Sequence, residues 1–129
     1  MSHTTTVKAL FKSPTAFKKA CEKLNLKHRV AETVDGRQVL FPVRLYQANE
    51  TAWGELHLPG WRYPVAFRED GKVAFDTYNG KWGDIAQYDK FCQEYSVQAT
   101  IEAAEHLGQT VVSVTADPVT GNMVVELQV

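Results

Sequence analysis

Residues that could bind another molecule gather between positions 61 and 84 of the sequence. They are Trp61, Arg62, Tyr63, Asp76, Tyr78, Asn79, Trp82 and Asp84. Aromatic rings with a polar handle are common at recognition surfaces, and loops that lead into helix N-termini expose unpaired amides that attract anions. The segment therefore predicts a binding surface. Large aromatic residues in a domain of this size are also ordinary core residues, and that second interpretation stays open.

The sequence carries no signature of nucleophilic or nucleotide chemistry. It contains no GxSxG elbow, no P-loop and no GxGxxG run. Cys92 has only Lys90 as a basic neighbour in sequence and lies on an apolar stripe, which predicts a buried, inert thiol. We therefore predict no catalytic residue. An enzyme or small-ligand site around Asp76 and Asp84 is kept as an alternative, because these carboxylates stand beside aromatic residues.

Histidine, cysteine and carboxylate residues do not show the spacing of a metal site. Glu102, Glu105 and His106 share a helix, but His106 lies one residue from Glu105 and four from Glu102. Carboxylate-bridged metal sites in helical bundles place Glu and His three residues apart. The two cysteines, Cys21 and Cys92, are too few for a zinc quartet. We predict no metal and no cofactor.

Charge is distributed unevenly along the chain, although the net charge is only −1. Residues 1–30 hold seven Lys or Arg against one acid, whereas no Lys or Arg follows Lys90 and five acids do. An alternative nucleic-acid face on the outside of the first helix consists of Lys18, Lys19, Lys23 and Lys27. No aromatic residue lies among these lysines to stack on bases, and the acidic C-terminal third is an equally suitable partner in a homo-oligomer.

The first elements can be predicted from local signals. Alternation from Thr4 to Phe11 predicts a strand. A helix then begins at Ser13 and Pro14, because Ser caps free amides and Pro fits the first helical position, and Asn25 is suited to a left-handed stop. The predicted buried face of this helix is Phe17, Ala20, Cys21 and Leu24.

Strands and tight turns are predicted between residues 28 and 78. The turn signals are Asp35-Gly36, Pro59-Gly60 and Asp70-Gly71. One apolar strand face is predicted from Val39, Phe41, Val43 and Leu45. Pro42, on the opposite parity, indicates an edge strand or a bulge. The Asp70-Gly71 turn should join a hairpin whose apolar residues are Tyr63, Val65, Phe67, Val73 and Phe75.

A long helix and a hairpin are predicted for the C-terminal part. Asp84 and Gln87 have the form of a capping box, and Gly108 suits the helix end. The apolar stripe of this helix is predicted to contain Tyr88, Phe91, Cys92, Tyr95, Ala99, Ala103, Ala104 and Leu107. Two strands, at 110–116 and 123–129, should follow around a turn at 117–122.

These elements predict a single α+β domain over residues 1–129. We expect a mainly antiparallel sheet with both helices on one face, ferredoxin-like with extra central strands. The hydrophobic share of 44% and the charged share of 22% are ordinary for a globular chain. No apolar run approaches the roughly 20 residues of a membrane span, and residues 1–6 lack the features of a signal peptide. We therefore expect a cytoplasmic protein.

The second half of the chain also resembles a known family. The residues that carry the resemblance are GWRYPVAF at 60–67, Gly71, DTYNGKWG at 76–83 and YSV at 95–97, together with MSH at 1–3. They resemble the family of the hypothetical chloroplast open reading frame thirty-five, also known as domain of unknown function twelve fifty-seven. The resemblance implies a small α+β protein of a kind found in plastids, cyanobacteria, other bacteria and phages, and it implies no activity.

The sequence favours a non-enzymatic binding or adaptor module that engages a protein, including a second copy of itself, through the segment at 61–84. The first alternative is a nucleic-acid binder that uses the Lys-rich first helix. The second is a small-ligand binder or enzyme around Asp76 and Asp84. No membrane partner is expected.

Overall fold

The structure, a computed structural model, describes the backbone of residues 11–116 and 123–128 and the side chains of residues 11–109. The predicted strand at 4–11 lies outside these residues except for Phe11, and so does the predicted turn at 117–122. The order of elements is α1 (Pro14–Lys23), β1 (Lys27–Val30), β2 (Glu32–Val34), β3 (Arg37–Val39), β4 (Phe41–Leu45), β5 (Ala48–Ala52), β6 (Gly54–His57), β7 (Val65–Phe67), β8 (Val73–Ala74), α2 (Ile85–His106), β9 (Thr110–Ala116) and β10 (Met123–Gln128).

Helix α1 begins and ends where the sequence predicts. Ser13 is its N-cap, and the Ser13 hydroxyl oxygen accepts the amide N–H of Ala16 at 3.1 Å. Asn25 follows the helix with φ +55°, in the left-handed region. The buried face consists of Ala16, Phe17, Ala20 and Cys21. Leu24, which was predicted on that face, is half-buried at the C-cap.

A four-stranded antiparallel sheet lies beneath the helices in the order β1, β6, β7, β8. Phe17 from α1 and Phe91 from α2 share one buried cluster with Leu56, Val65 and Phe67 from the sheet. Both helices therefore pack on the same face of antiparallel strands, and the predicted α+β class is confirmed. A ferredoxin-like order would also need a strand before α1, which lies outside the described residues, and a strand after α2 in the same sheet, whereas among the described strands β9 and β10 pair only with each other.

The opposite face of the sheet is covered by the β4–β5 hairpin. Its buried residues, Phe41, Val43 and Leu45, form a second cluster with Ala52 and Ala66. Strand β7 is consequently buried on both faces, since Val65 and Phe67 belong to the first cluster and Ala66 to the second. Among the described strands β4 pairs with β5 alone, which agrees with the edge position predicted from Pro42.

The prediction that Val39 continues the Phe41–Leu45 face is wrong. Val39 is 52% exposed and lies in β3, which pairs with β2 in a separate hairpin. Every residue of β2 and β3 is exposed. The turn of this hairpin is at Asp35 and Gly36, whose φ values of +53° and +77° suit a tight two-residue connection.

The β7–β8 hairpin is confirmed, although its strands are shorter than the pattern predicts. Ala66 pairs with Ala74 and Phe67 with Val73. Tyr63 lies before β7 and Phe75 after β8. The segments at 58–64 and 75–84 are therefore loops, and they position most of the candidate site.

Helix α2 begins after its N-cap, Asp84, whose carboxylate accepts the amide N–H of Ala86 at 3.0 Å. The helix ends before Gly108, with φ +77°. The buried residues of α2 are Phe91, Tyr95, Val97 and Ala104. The predicted stripe is wrong at its C-terminal end, because Ala103 is exposed and Leu107 is 73% exposed.

Ser13 joins the two helices. Its amide N–H donates to the hydroxyl oxygen of Tyr95 at 3.0 Å, and its hydroxyl donates to the Glu102 carboxylate at 2.7 Å. The N-cap of α1 is thus held by two side chains of α2.

The last two strands form the predicted hairpin. Strand β10 pairs with β9 in an antiparallel register with one irregularity between Glu126 and Leu127. Helix α2 lies against both strands. A search of the described helices finds none with the length and apolarity to cross a membrane.

Candidate functional site

Four aromatic rings meet at one end of the sheet, on two loops and a turn. Trp82 lies at their centre, with ring centroids 4.7 Å from Tyr78, 5.0 Å from Tyr46 and 5.4 Å from Tyr63. Tyr46 and Tyr63 are also neighbours, at 6.2 Å. We call these four residues, together with Arg62 and Lys81, the aromatic patch.

The aromatic patch is open to solvent. Tyr78 is 54% exposed and Tyr46 is 48% exposed, whereas Tyr63 and Trp82 are half-buried. Among residues 11–109, no other aromatic side chains reach this level of exposure. The surface interpretation of Tyr63, Tyr78 and Trp82 is therefore favoured over the core interpretation.

Two cations lie against these rings. The Arg62 guanidinium is 5.3 Å from the centroid of Trp82 and 5.8 Å from that of Tyr63. The Lys81 ammonium is 5.3 Å from the centroid of Tyr78. Both side chains are exposed, and neither forms an ion pair with a carboxylate of the described residues. A cation over an aromatic face is attracted by the ring quadrupole, by about 0.5–1 kcal/mol at an exposed site.

A backbone hydrogen bond joins the loop at 58–64 to the loop at 75–84, and two more stabilise the second loop. The amide N–H of Arg62 donates to the carbonyl of Trp82 at 2.7 Å. Within the second loop, the amide N–H of Trp82 donates to Thr77 at 2.9 Å and that of Lys81 to Tyr78 at 3.1 Å. These bonds close a compact turn that places Tyr78 and Trp82 side by side.

The turn contains three consecutive residues in the left-handed region. The φ values are +47° at Tyr78, +56° at Asn79 and +87° at Gly80. Glycine adopts this conformation freely and asparagine tolerates it, but for a residue such as tyrosine it costs about 1–2 kcal/mol. The left-handed turn allows two rings four residues apart to stack with an interplanar angle of 23°.

Trp61 is half-buried and packs against the core cluster rather than in the aromatic patch. Its ring contacts Phe75 at 5.6 Å, and its indole N–H donates to the carbonyl of Asp84 at 3.2 Å. A Cβ atom at Gly83 would lie only 2.4–2.8 Å from Trp61 ring atoms, so only glycine fits beneath the ring. Phe75 in turn contacts Tyr88 at 4.8 Å. Trp61 therefore anchors the loops to α2.

The predicted polar residues come together only in part, since Asn79 and Asp84 line one cleft without Asp76. Asp84 uses its carboxylate to cap α2. A shallow cleft of about 410 Å³ beside it is lined by Thr77, Asn79, Gly80, Gly83, Asp84 and Ile85. Asp76 is half-buried and is not part of that lining, so the structure does not bring Asp76 and Asp84 together around one cleft.

Sequence reasoning missed Tyr46. This residue occupies the two-residue turn between β4 and β5, where Leu45 pairs with Ala48 and Gln47 has φ +66°. The signal was the end of an apolar alternation at Leu45, which indicates a turn and hence an exposed ring. Its proximity to Trp82 depends on the tertiary fold and had no local signal.

The lysines of the alternative nucleic-acid face lie on two elements. Lys18, Lys19 and Lys23 are exposed on α1. The prediction that Lys27 extends this helical face is wrong, because α1 ends at Lys23 and Lys27 lies in β1, where it is also exposed. Within the part of the chain whose side chains are described, none of these lysines forms an ion pair.

Neither of the two thiols is in the reactive thiolate form. Burial raises the pKa of Cys21 to about 12 and that of Cys92 to about 11. Burial also raises the pKa of the neighbouring Tyr88 hydroxyl. Both thiols therefore stay protonated at neutral pH, although Cys92 is only half-buried rather than fully buried as predicted.

Metal ligands are equally sparse in the region that the structure describes. No three His, Cys, Asp or Glu side chains of that region come together in a group suited to a metal ion. Comparison with known proteins adds no assignment, since no family model, curated protein or solved structure matches this chain.

Proposed function

We propose that this chain is a non-enzymatic binding module whose aromatic patch engages a protein partner. The observation that carries the proposal is the position of Trp82, which contacts three tyrosines and Arg62 at a solvent-open surface. Tryptophan, tyrosine and arginine are the residues that dominate binding energy at protein interfaces. Their concentration at one exposed place supports an interface.

The rigidity of the aromatic patch supports the same proposal. Ring contacts and two cations already limit the freedom of these side chains, and the backbone bond from Arg62 to Trp82 joins the loops that carry them. Ordering a free side chain at an interface costs about 0.5–1.5 kcal/mol. Since most of that ordering is present in the free chain, a partner gains more of the contact energy.

The alternative site around Asp76 and Asp84 has less support. Asp84 is occupied in capping α2, and the two carboxylates do not line one cleft. The inert thiols add no nucleophile. A binding role for the aromatic patch needs none of these groups.

Trp82→Ala tests the proposal. A partner is captured from the native host with the full chain, purified, and titrated by calorimetry against the wild type and the variant. A central tryptophan is worth about 2 kcal/mol or more, so affinity should fall roughly 30-fold or more. Leu107→Ala is the matched control, because Leu107 is exposed and lies outside the patch. Equal affinity of wild type and Trp82→Ala would contradict the proposal.

A nucleic-acid role for Lys18, Lys19, Lys23 and Lys27 is the second candidate. It is favoured by their exposure and by the lack of described ion pairs. Anisotropy of a labelled oligonucleotide should then rise on titration with the chain at low salt, and the affinity should fall steeply as salt increases. Flat anisotropy at micromolar protein would exclude this role.

We also propose, from the residues at 60–83 and 95–97, membership of the chloroplast open reading frame thirty-five family, and a cytoplasmic location. Labelling of the chain in its native host would test the location. Both statements rest on the sequence.

A further inference from the structure

The aromatic patch carries positive charge without a visible counter-charge. Arg62 and Lys81 lie 5.3 Å from ring centroids, and no carboxylate of the described residues is within 4.0 Å of either. Asp84, the acid closest in sequence to Lys81, is held at the N-terminus of α2. The two cations are therefore free to interact with charge from outside the chain.

The rings of the aromatic patch meet largely edge to face, and Tyr46 and Tyr78 are 48% and 54% exposed. Trp82 meets Tyr46 at 62° and Tyr63 at 66°, which are edge-to-face arrangements. Ring edges carry the positive part of the aromatic quadrupole. Edges and cations together favour a negative group that has apolar neighbours.

The ring faces are largely used within the molecule. Tyr78 stacks on Trp82, and Arg62 lies over both Trp82 and Tyr63. Single-stranded nucleic acids bind such surfaces by stacking bases on open faces. A carboxylate beside an aliphatic side chain needs only the edges and the cations, so a peptide suits this surface better than a nucleic acid.

We infer that the aromatic patch recognises an acidic segment of a protein partner, in which carboxylates alternate with apolar side chains. This inference rests on the proposed function and deepens it. The rings contact the apolar side chains, while Arg62 and Lys81 bind the carboxylates.

Three fluorescein-labelled 12-residue peptides test this inference. Leu and Pro occupy alternate positions in all three, and the remaining positions are Glu, Gln or Lys. Anisotropy titrations use the full chain at low and physiological salt. The Glu peptide should bind roughly tenfold more tightly than the Gln peptide at low salt, as expected for two exposed charge contacts, and the Lys peptide should bind most weakly.

The double variant Arg62→Gln/Lys81→Gln should abolish the preference for Glu over Gln. The control, Lys18→Gln/Lys19→Gln, removes the same charge from α1 and should keep that preference. Circular dichroism verifies that both variants are folded. An unchanged preference in Arg62→Gln/Lys81→Gln would overturn the inference.

Other outcomes separate this inference from the proposed function. If all three peptides bind equally well and Trp82→Ala loses this binding, the inference of an acidic partner is wrong, but the proposed binding function still holds. Failure of the Glu peptide to bind also overturns the acidic partner. If a thymidine oligonucleotide binds more tightly than the Glu peptide and Arg62→Gln/Lys81→Gln loses that binding, the partner of the aromatic patch is a nucleic acid and the inference is wrong. If the chain sediments as a dimer and Trp82→Ala sediments as a monomer, the partner of the aromatic patch is a second copy of the chain and the inference is wrong.

Discussion

The aromatic cluster beneath the helices and the aromatic patch on the loops have similar ring spacings but differ in composition, because the rings of the buried cluster are mainly phenylalanine with Trp53 and Tyr95, and those of the patch are only tyrosine and tryptophan. Beneath the helices, Phe17, Phe67 and Phe91 have centroids 4.9–5.7 Å apart and are fully buried. In the aromatic patch the spacings are 4.7–6.2 Å, yet the rings are tyrosine and tryptophan and partly face water. Ring contact alone therefore does not distinguish a core from a surface.

The polar atoms of the rings explain the difference. Phenylalanine has none, so it can be buried without a hydrogen-bond partner, whereas a hydroxyl or an indole N–H needs one. Tyr95 is buried, and its hydroxyl oxygen accepts the amide N–H of Ser13. The exposed tyrosines of the patch can meet water or a partner instead.

The largest expected difference in free energy of unfolding comes from removing one ring from the buried aromatic cluster and one from the aromatic patch. Phe17→Ala leaves a cavity in the core and should lower the free energy of unfolding by about 3–5 kcal/mol. Trp82→Ala removes a partly exposed ring and should lower it by less, about 1–2 kcal/mol. Urea unfolding followed by circular dichroism measures both. Equal losses would show that the patch is part of the core.

Gly83→Ala tests the contact of Trp61 with Gly83, which lies between the buried aromatic cluster and the aromatic patch. The added methyl would meet the Trp61 ring, and such overfilling typically costs about 1–3 kcal/mol. In a Trp61→Ala background the same change should cost less, because the ring is gone. Thermal unfolding of the four proteins of this cycle gives the coupling energy. A coupling near zero would mean that Trp61 does not rest on Gly83 in solution.

The smallest effect concerns the thiols that border the buried rings. The pKa values of Cys21 and Cys92 are raised from 9.0 to about 12 and about 11, so folding favours the protonated form. This stabilisation is complete below pH 9 and is lost between pH 9 and the folded values, by at most about 1.4 kcal/mol per pH unit for each thiol. Urea titrations at pH 8 and pH 9.5 should show a loss of at most about 1.5 kcal/mol for the two thiols together.

A Cys21→Ala/Cys92→Ala variant is the control for this pH effect. Its free energy of unfolding should fall less over the same pH interval, because only groups other than the two thiols then contribute to the pH dependence. The same loss in wild type and variant would rule out a contribution from the thiols.

Local signals predicted most element boundaries correctly. The cap at Ser13, the stop at Asn25 and the ends of α2 at Asp84 and Gly108 depend on hydrogen bonds and φ values within a few residues. Such signals can be recognised without knowledge of the tertiary structure. They also predicted the β7–β8 and β9–β10 hairpins and the turn at Asp35-Gly36, but not the β4–β5 hairpin or the exact lengths of the strands.

The candidate site was only partly predictable, because side-chain direction in a loop depends on distant contacts. Trp61 and Tyr63 are two residues apart, yet Trp61 packs on Gly83 and Tyr63 lies against Trp82. Tyr46 reaches Trp82 only because the β4–β5 hairpin covers the sheet. Helical spacing likewise placed Leu107 on the buried stripe, but it lies in the last turn, beyond the buried residues of α2.

The bonds of Ser13 to α2 set an order of events during synthesis of the chain. Tyr95 and Glu102 follow Ser13 by 82 and 89 positions. At ribosomal rates of about 5–20 residues per second, Glu102 is added roughly 5–20 s after Ser13. A nascent chain that stops before Glu102 holds α1 without both of these bonds, so the two helices are joined in their final way only after Glu102 has been added.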